Sequence, residues 1–232
     1  MWDGKKKAVT FSFDDGTLQD VRLVGILNKY GLKGTFNICS GLLGVPHTVI
    51  RHGRPIEHSK VRAEDVRSIY EGHEVAVHTL SHPWLNRLDD DSVVREIEED
   101  RVRLSELCGY EVFGMAYPFG VYDERILSLI RERTGVKYSR TIKNTRAFGV
   151  PSGDELLTWH PSVYYIEPEF EAVVDEFLAL ECDEPQLLYI WGHSFELDSD
   201  IDDATFESIC KKLAGREDIF YGTNREVLGK LS

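Results

Sequence analysis

Two adjacent carboxylates, Asp14 and Asp15, follow a β-branched, apolar run at residues 8–13 of this 232-residue chain. Because neighbouring side chains leave a strand in different directions, one could bind a cation while the other accepts a proton. The same Asp-Asp-Gly sequence is also ordinary turn chemistry. The pair therefore indicates a reactive site only in combination with other residues.

His78 and His82 lie four positions apart in the segment HTLSH. On a helical turn this spacing would place both imidazoles on one side, where they could share a metal ion. With Asp15 from a neighbouring strand they would form a three-ligand set that leaves a coordination position open for water. Such a site lowers the pKa of bound water to about 7 and polarises a carbonyl group. Two ordinary polar histidines are the competing interpretation.

His193 follows the most apolar stretch of the chain, residues 186–191 (QLLYIW). A histidine that leaves a buried strand is suited to general acid catalysis near neutral pH. The alternative is a core histidine that is hydrogen-bonded to the backbone.

Strand-like and helix-like patterns alternate about seven times, which predicts parallel strands joined by helical crossovers. A barrel and a doubly wound open sheet both fit this pattern, and in both the reactive side chains gather at the C-terminal ends of the strands. Residues 40–60 have the composition of a long loop. The predicted strands are residues 8–13, 33–38, 73–78, 112–117, 138–141, 159–165, 186–191 and 219–222, and the predicted helices are 20–30, 63–70, 91–107, 124–134, 167–181 and 203–213.

Composition and charge narrow the class of protein. The length favours one domain over residues 1–232, and no stretch approaches the 18 apolar residues of a membrane helix. A formal net charge of −13 argues against nucleic acid as a partner.

No apolar segment of signal-peptide type follows the lysines at 5–7, which favours a cytoplasmic protein or a secreted one whose signal has been removed. The four cysteines are far apart, so reduced buried thiols are expected, with a disulfide as the alternative.

Four segments resemble the motifs of the polysaccharide deacetylases, the carbohydrate esterase family 4 group. Residues 11–16 (FSFDDG) are similar to the first motif and residues 78–82 (HTLSH) to the second. Residues 117–120 (YPFG) are similar to the third and residues 190–193 (IWGH) to the fifth. They occur in the order of the family and span most of the chain. The resemblance implies a distorted (β/α)7 barrel and metal-assisted hydrolysis of an N-acetyl or O-acetyl group on a sugar or glycan.

The resemblance also implies roles for individual residues. Asp15, His78 and His82 would hold one divalent metal ion, with zinc as the expected ion. Asp14 would be the general base that activates water. His193 would be the general acid that protonates the leaving amine or alcohol.

Further positions are candidates for contact with the substrate. The backbone N–H of Phe119 would help to bind the oxyanion, with Tyr117 and Pro118 beside it as candidate substrate contacts. Trp159 and Ile190 are candidates for the pocket that receives the acetyl methyl group, although both residue types are also common in a core.

Two positions depart from the pattern of the family. Many members carry an arginine that orients the base two residues before the proline of the third motif, where this chain has Ala116. We therefore expect Asp14 to lack that partner and its pKa to depend on the metal and on hydrogen bonds alone. The fourth motif, which tunes the acid histidine, has no clear counterpart; Glu196 is the best candidate, and Asp154 and Glu155 are the others.

Two other functions remain open at this point. Hydrolysis of a cyclic amide or imide would use the same fold without the metal, and the intact ligand set argues against it. A carbohydrate-binding domain with a relic site would need neither a base nor an acid, and this chain retains both candidates. The sequence predicts no oligomeric state.

Overall fold

The computed structural model of the protein describes residues 2–228. Strands and helices alternate through most of that range, as the sequence predicts. The strands are β1 (Lys7–Asp14), β2 (Gly34–Ile38), β3 (Thr48–Arg51), β4 (Arg54–Glu57), β5 (Glu74–Val77), β6 (Gly114–Ala116), β7 (Tyr138–Arg140), β8 (Val163–Tyr164), β9 (Gln186–His193) and β10 (Ile219–Tyr221). The α-helices are α1 (Asp20–Lys29), α2 (Val66–Ile69), α3 (Asp90–Cys108), α4 (Glu124–Arg133), α5 (Phe170–Ala179), α6 (Asp203–Leu213) and α7 (Asn224–Leu228).

Seven strands lie parallel in the order β7, β6, β5, β2, β1, β9, β8. Trp159 forms a parallel bridge with Arg140 of β7, and the chain then continues into β8, which pairs with β9. The segment from 159 to 164 thereby links the two edges of the sheet. The distorted (β/α)7 barrel is confirmed, and the doubly wound open sheet is excluded. β10 adds an eighth strand beside the first half of β1.

β1 is buried along its whole length, as expected for a parallel strand that is covered on both faces. Phe11 and Phe13 point toward the helices and pack edge-on against Phe206 of α6. Because side chains alternate along a strand, Ser12 and Asp14 point into the barrel. This strand therefore joins the main hydrophobic core to the polar interior.

The segment predicted as a loop at 40–60 contains a β-hairpin, so that prediction is wrong in part. β3 and β4 pair antiparallel around His52 and Gly53, which both have positive φ angles, of 50° and 75°. Positive φ at both central residues is typical of the tight turns that join hairpin strands. Most hairpin side chains are exposed, so the strands lack the hydrophobic alternation that would reveal them.

Other differences from the predicted elements are small. The helix predicted at 63–70 is a 3-10 turn followed by the short α2, and the strand predicted at 159–165 is regular only in β8. All four cysteines are free thiols; Cys39, Cys108 and Cys210 are buried and Cys182 is partly exposed. Among residues 2–228 no helix has both the length and the apolar character that a membrane crossing requires.

Close packing of β9 against Tyr165 gives a first test of the fold. A methyl group on Gly192 would lie 2.1 Å from the buried ring of Tyr165. We expect Gly192→Ala to lower the free energy of unfolding by about 1–3 kcal/mol through overpacking, measured by urea denaturation. Gly149→Ala is the control, because no atom lies within 4 Å of its added methyl group. Equal stability of the two variants would contradict this packing.

Candidate active site

The predicted reactive side chains meet at the C-terminal rim of the barrel. Asp14 is the last residue of β1 and pairs in register with His193, the last residue of β9. Asp14 also pairs with Asn37 of β2, the strand that lies between β1 and β5. His78 directly follows β5. The parallel arrangement therefore brings together residues that are far apart in the chain.

Asp15, His78 and His82 form a compact group of ligand atoms. One donor atom from each residue lies within 4.8 Å of the others. Oδ1 of Asp15 is 4.0 Å from Nε2 of His78 and 3.8 Å from Nε2 of His82. Two imidazoles and one carboxylate that face a common point are a ligand set that suits zinc and similar divalent ions.

The tautomer of His78 leaves Nε2 free to bind a metal ion. Its Nδ1 lies 2.8 Å from the carbonyl oxygen of Ala116, which can only accept a hydrogen bond. The proton must therefore be on Nδ1, and Nε2 presents its lone pair toward Asp15. A backbone carbonyl as the outer partner of a ligating histidine is a common feature of metal sites.

The two histidines do not lie on a helical turn, so this part of the prediction is wrong. Thr79 and His82 both have positive φ angles, of 66° and 58°, and the chain between them is irregular. Glu96 of α3 holds the segment, because its carboxylate accepts hydrogen bonds from the backbone N–H and the hydroxyl of Ser81. The two rings still approach to 4.8 Å between centroids.

Burial keeps the imidazoles of His78 and His82 neutral. Burial, followed by the effect of neighbouring His78, lowers the pKa of His82 to about 4. Burial also lowers the pKa of His78, although the nearby carboxylates of Asp14 and Asp15 oppose this. Neutral imidazole is the form that binds a metal ion.

Asp15 is held as a carboxylate. Burial alone would raise its pKa, but a hydrogen bond from His58 and the charge of Lys60 bring the pKa well below its usual value. Nε2 of His58 is 3.1 Å from Oδ2, and Nζ of Lys60 is 3.6 Å from Oδ1. Neither residue was among the predicted site residues. Residues 40–60 hold three of the eight histidines of the chain, which was the signal for His58.

Asp14 has an arginine partner after all. Arg140, at the end of β7, donates to both carboxylate oxygens, and the Nδ2 of Asn37 donates to Oδ1 at 2.9 Å. Arg140 is fully buried, and its guanidinium lies 4.7 Å from the ring centre of Trp191. Burial would raise the pKa of Asp14, but Arg140, together with the nearby His78 and His193, lowers the pKa below its usual value.

The expectation that Asp14 lacks an arginine partner is therefore wrong. The cation comes from β7 instead of from the position of Ala116 on β6. Its sequence signal was an arginine at the end of a predicted strand, residues 138–141, which is an unusual place for a charge in a barrel.

His193 is paired with the carboxylate of Glu196. Nδ1 of His193 is 3.1 Å from Oε1 of Glu196, and its backbone N–H donates to Oε2 at 2.9 Å. The hydroxyl of Tyr164 donates a hydrogen bond to the same carboxylate. Burial disfavours the imidazolium, but Glu196, together with the charges of Asp14 and Asp15, raises the pKa of His193 to about 9.

The other two candidates for this position lie elsewhere. The side chain of Asp154 is almost fully exposed and that of Glu155 caps its own helical turn at Ser152. Glu196 is thus the carboxylate that the fold brings to His193.

Phe119 lies beside the ligand group. Its backbone is left-handed, with φ 56°, and its ring contacts that of His82 at 4.5 Å between centroids. Trp84 stacks on the other side at 4.2 Å. Pro118 is buried, whereas the Tyr117 hydroxyl donates to the carbonyl of Leu157 in the core, so the Tyr117 side chain points away from the rim.

The two predicted pocket residues do not line the rim. Ile190 packs in the core between the sheet and the helices, on the face of β9 opposite to His193. Trp159 packs inside the barrel on Tyr189, 4.1 Å between ring centroids. The residue beside His193 on the same face is Trp191, which sequence reasoning missed. It stacks on Tyr164 at 4.3 Å.

Comparison with known proteins identifies the family of this chain. The family model described as polysaccharide deacetylase matches residues 2–139. An uncharacterised 30.6 kDa protein of Geobacillus stearothermophilus is 26% identical over 132 residues, 55% of this chain and 43% of that protein. The peptidoglycan-N-acetylmuramic acid deacetylase PdaC of Bacillus subtilis is 25% identical over 132 residues, 56% of this chain and 25% of its own length. The match thus spans less than half of either relative.

Solved structures share the fold over nearly the whole chain. A protein assigned to the polysaccharide deacetylases from Mycobacterium smegmatis superposes with a TM-score of 0.69 at 20% identity, covering 99% of this chain and 91% of that one. The family 4 carbohydrate esterase of Streptomyces lividans, solved with acetate, gives a TM-score of 0.61 at 16% identity, covering 99% and 98%. At these identities the likeness shows the fold alone.

The buried pair of Asp14 and Arg140 predicts a large coupling in stability. Arg140→Met leaves a buried carboxylate without its cation, so we expect a loss of about 3–5 kcal/mol in the free energy of unfolding at pH 7. Adding Asp14→Asn should recover most of that loss, because the unpaired charge is removed. Urea denaturation of the single and double variants measures the coupling.

Arg146→Met is the matched control. Arg146 pairs with Glu169 on the surface at 3.0 Å, and both side chains are about half exposed. Its removal should change stability by less than about 1 kcal/mol. A loss at Arg140 as small as the loss at Arg146 would contradict the buried pair.

Proposed function

Because this chain belongs to the polysaccharide deacetylase family, we propose that it is a metal-dependent hydrolase that removes acetyl groups from N-acetyl or O-acetyl sugars or glycans. One observation carries the proposal. The ligand group lies on the same rim as Asp14, which is ionised, and His193, which is protonated. Asp14 is ionised and His193 is protonated at neutral pH, since the pKa of Asp14 is lowered and that of His193 is raised. Hydrolysis of an amide or ester needs one group of each kind.

Asp15, His78 and His82 are the residues that would hold the metal. Their donor atoms face one another and the imidazoles are neutral, so the set fits a divalent ion, with zinc as our proposed identity. When bound, such an ion supplies Lewis acidity toward the acetyl carbonyl group and the attacking water.

Asp14 is the proposed general base. It accepts a proton from the water that attacks the acetyl carbon, while Arg140 and Asn37 hold its two oxygens in place. The Phe119 backbone N–H is the proposed donor to the oxyanion that develops on the carbonyl oxygen. The rings of His82 and Trp84 pack against the ring of Phe119.

His193 is the proposed general acid. The bond between the acetyl carbon and the sugar nitrogen or oxygen breaks, and the imidazolium donates its proton to that leaving atom. The products are acetate and the free amine or alcohol. Glu196 keeps the proton on His193 until this step, and Tyr164 holds Glu196. The presence of both a base and an acid favours catalysis over mere binding of a carbohydrate.

Substitution of Asp14 should affect turnover but leave metal content unchanged. We expect the purified protein to carry about one equivalent of a divalent ion and to release acetate from at least one of four substrates: acetylated chito-oligosaccharides, xylan, peptidoglycan or acetylated monosaccharides. Asp14→Asn should keep the metal but lose about 10²–10⁴-fold in acetate release, because Asp14 is the proposed base and is not one of the three ligands. Asp15→Asn should lose the metal as well.

Metal analysis and an acetate assay measure the two quantities. Asp218→Asn, a substitution of a half-exposed carboxylate, is the control and should change neither. Absence of bound metal after zinc is offered would refute the ligand assignment. Unchanged acetate release by Asp14→Asn would refute the assignment of the base.

The pH profile should report on Glu196. Because its charge raises the pKa of His193, the acid is protonated below that pKa and activity should fall as pH rises through it. Glu196→Gln removes the charge, so the alkaline limb of kcat/KM should move to lower pH by about 1–2 units. Glu155→Gln is the control and should leave the limb in place. An alkaline limb that Glu196→Gln does not move would refute the pairing.

A further inference from the structure

The β3–β4 hairpin delivers a histidine to the outer side of the proposed metal ligand Asp15. His58, one residue past β4, is buried, and its Nε2 is 3.1 Å from Oδ2 of Asp15. The other oxygen, Oδ1, is the one that faces His78 and His82. We propose that His58 is a positioning residue that orients Asp15 for the metal, and that His47 in turn fixes the tautomer of His58. The inference rests on the metal site of the proposed function.

The direction of the hydrogen bonds follows from the chemistry of the groups. An ionised carboxylate can only accept, so the proton between His58 and Asp15 is on Nε2 of His58. In the neutral ring Nδ1 is then bare and accepts a hydrogen bond. Nδ1 of His47 lies 3.1 Å away and can donate to it. The chain from exposed His47 through buried His58 to Asp15 therefore has one consistent polarity.

Fixing Oδ2 has a consequence for Oδ1. A free carboxylate can rotate about its Cβ–Cγ bond or bind a metal through both oxygens. A hydrogen bond to Oδ2 restrains this rotation and leaves Oδ1 facing the two imidazoles. Outer partners of this kind are typically worth 10–100-fold in metal affinity.

The hairpin is itself anchored, so His58 has little freedom to move. The amide of Gln19 donates to the carbonyl of Glu57 at 2.8 Å, and the backbone N–H of His58 donates to the carbonyl of His47 at 2.9 Å. At the turn, Arg51 and His52 both contact the carboxylate of Asp200 at 2.8 Å. The His58 ring also packs edge-on against Phe195, 4.8 Å between centroids.

Lys60 offers a competing explanation, because it too approaches Asp15. Its Nζ is 3.6 Å from Oδ1, the oxygen on the side of the ligand group. An ammonium there supplies charge without a fixed direction, and it would oppose a cation bound at the same oxygen. If the hydrogen bond from His58 positions Asp15, His58→Gln should bind zinc more tightly than His58→Ala. If only the charge of Lys60 matters, the two variants should bind zinc equally well.

Zinc affinity, measured on the full-length protein by competition with a chromophoric chelator, tests the proposal. We expect His58→Ala to weaken zinc binding by about 10–100-fold. His58→Gln should recover most of the loss, because the glutamine amide can donate the same hydrogen bond. His47→Ala should cause a smaller loss. Ile50→Ala, at an exposed position of the same hairpin, should leave affinity unchanged.

Thermal unfolding of the metal-free variants separates positioning from folding. The proposal expects metal-free His58→Gln to have the Tm of the wild type. If His58→Ala fails to fold, the affinities of His58→Gln and His47→Ala decide the question. Equal losses in His58→Ala and Ile50→Ala, or a well-folded His58→Gln with no recovery, would overturn the role of the hydrogen bond.

The two levels of the proposal fail differently. If the wild type binds zinc and His58→Ala binds it equally well, only the role of His58 is refuted. If the wild type binds no zinc, both the metal site and the role of His58 are refuted.

Discussion

The structure is organised around two adjacent buried carboxylates whose charges must be neutralised. Asp14 and Asp15 end the central strand of the barrel, where burial raises the free energy of the ionised form. Arg140 neutralises Asp14 from across the barrel, and His58 with Lys60 approaches Asp15 from the hairpin. What remains for Asp15 is one oxygen that faces two neutral imidazoles. The proposed divalent cation would bind this oxygen, directly beside the proposed base Asp14.

Closure of the barrel is what makes this compensation available. The linking segment from 159 to 164 joins β7 to β9 and so brings Arg140 across to β1. The same segment carries Tyr164, which stacks on Trp191 and holds Glu196. One irregular crossover thus supports both halves of the proposed acid–base pair. The short segment from 159 to 164 therefore has a large effect on the site.

The sequence predicts the rim because strand ends can be found from local hydrophobic pattern. Asp14, His78 and His193 each follow an apolar run, and parallel strands then require that they meet. Arg140 was missed as a partner because the contact joins residues 126 positions apart and depends on which strands become neighbours after closure. Ile190 was chosen in place of Trp191 because the choice depends on which face of β9 points inward, and a shift of one residue reverses every side chain. His58 belongs to an exposed hairpin that leaves little hydrophobic signal.

The most direct test of the metal centre is an anomalous diffraction map, recorded at the zinc edge from crystals grown with zinc. We predict one dominant peak within bonding distance of Oδ1 of Asp15 and of Nε2 of both His78 and His82. No peak between these three atoms, with zinc bound only to surface carboxylates, would contradict the metal centre and the hydrolytic function that depends on it.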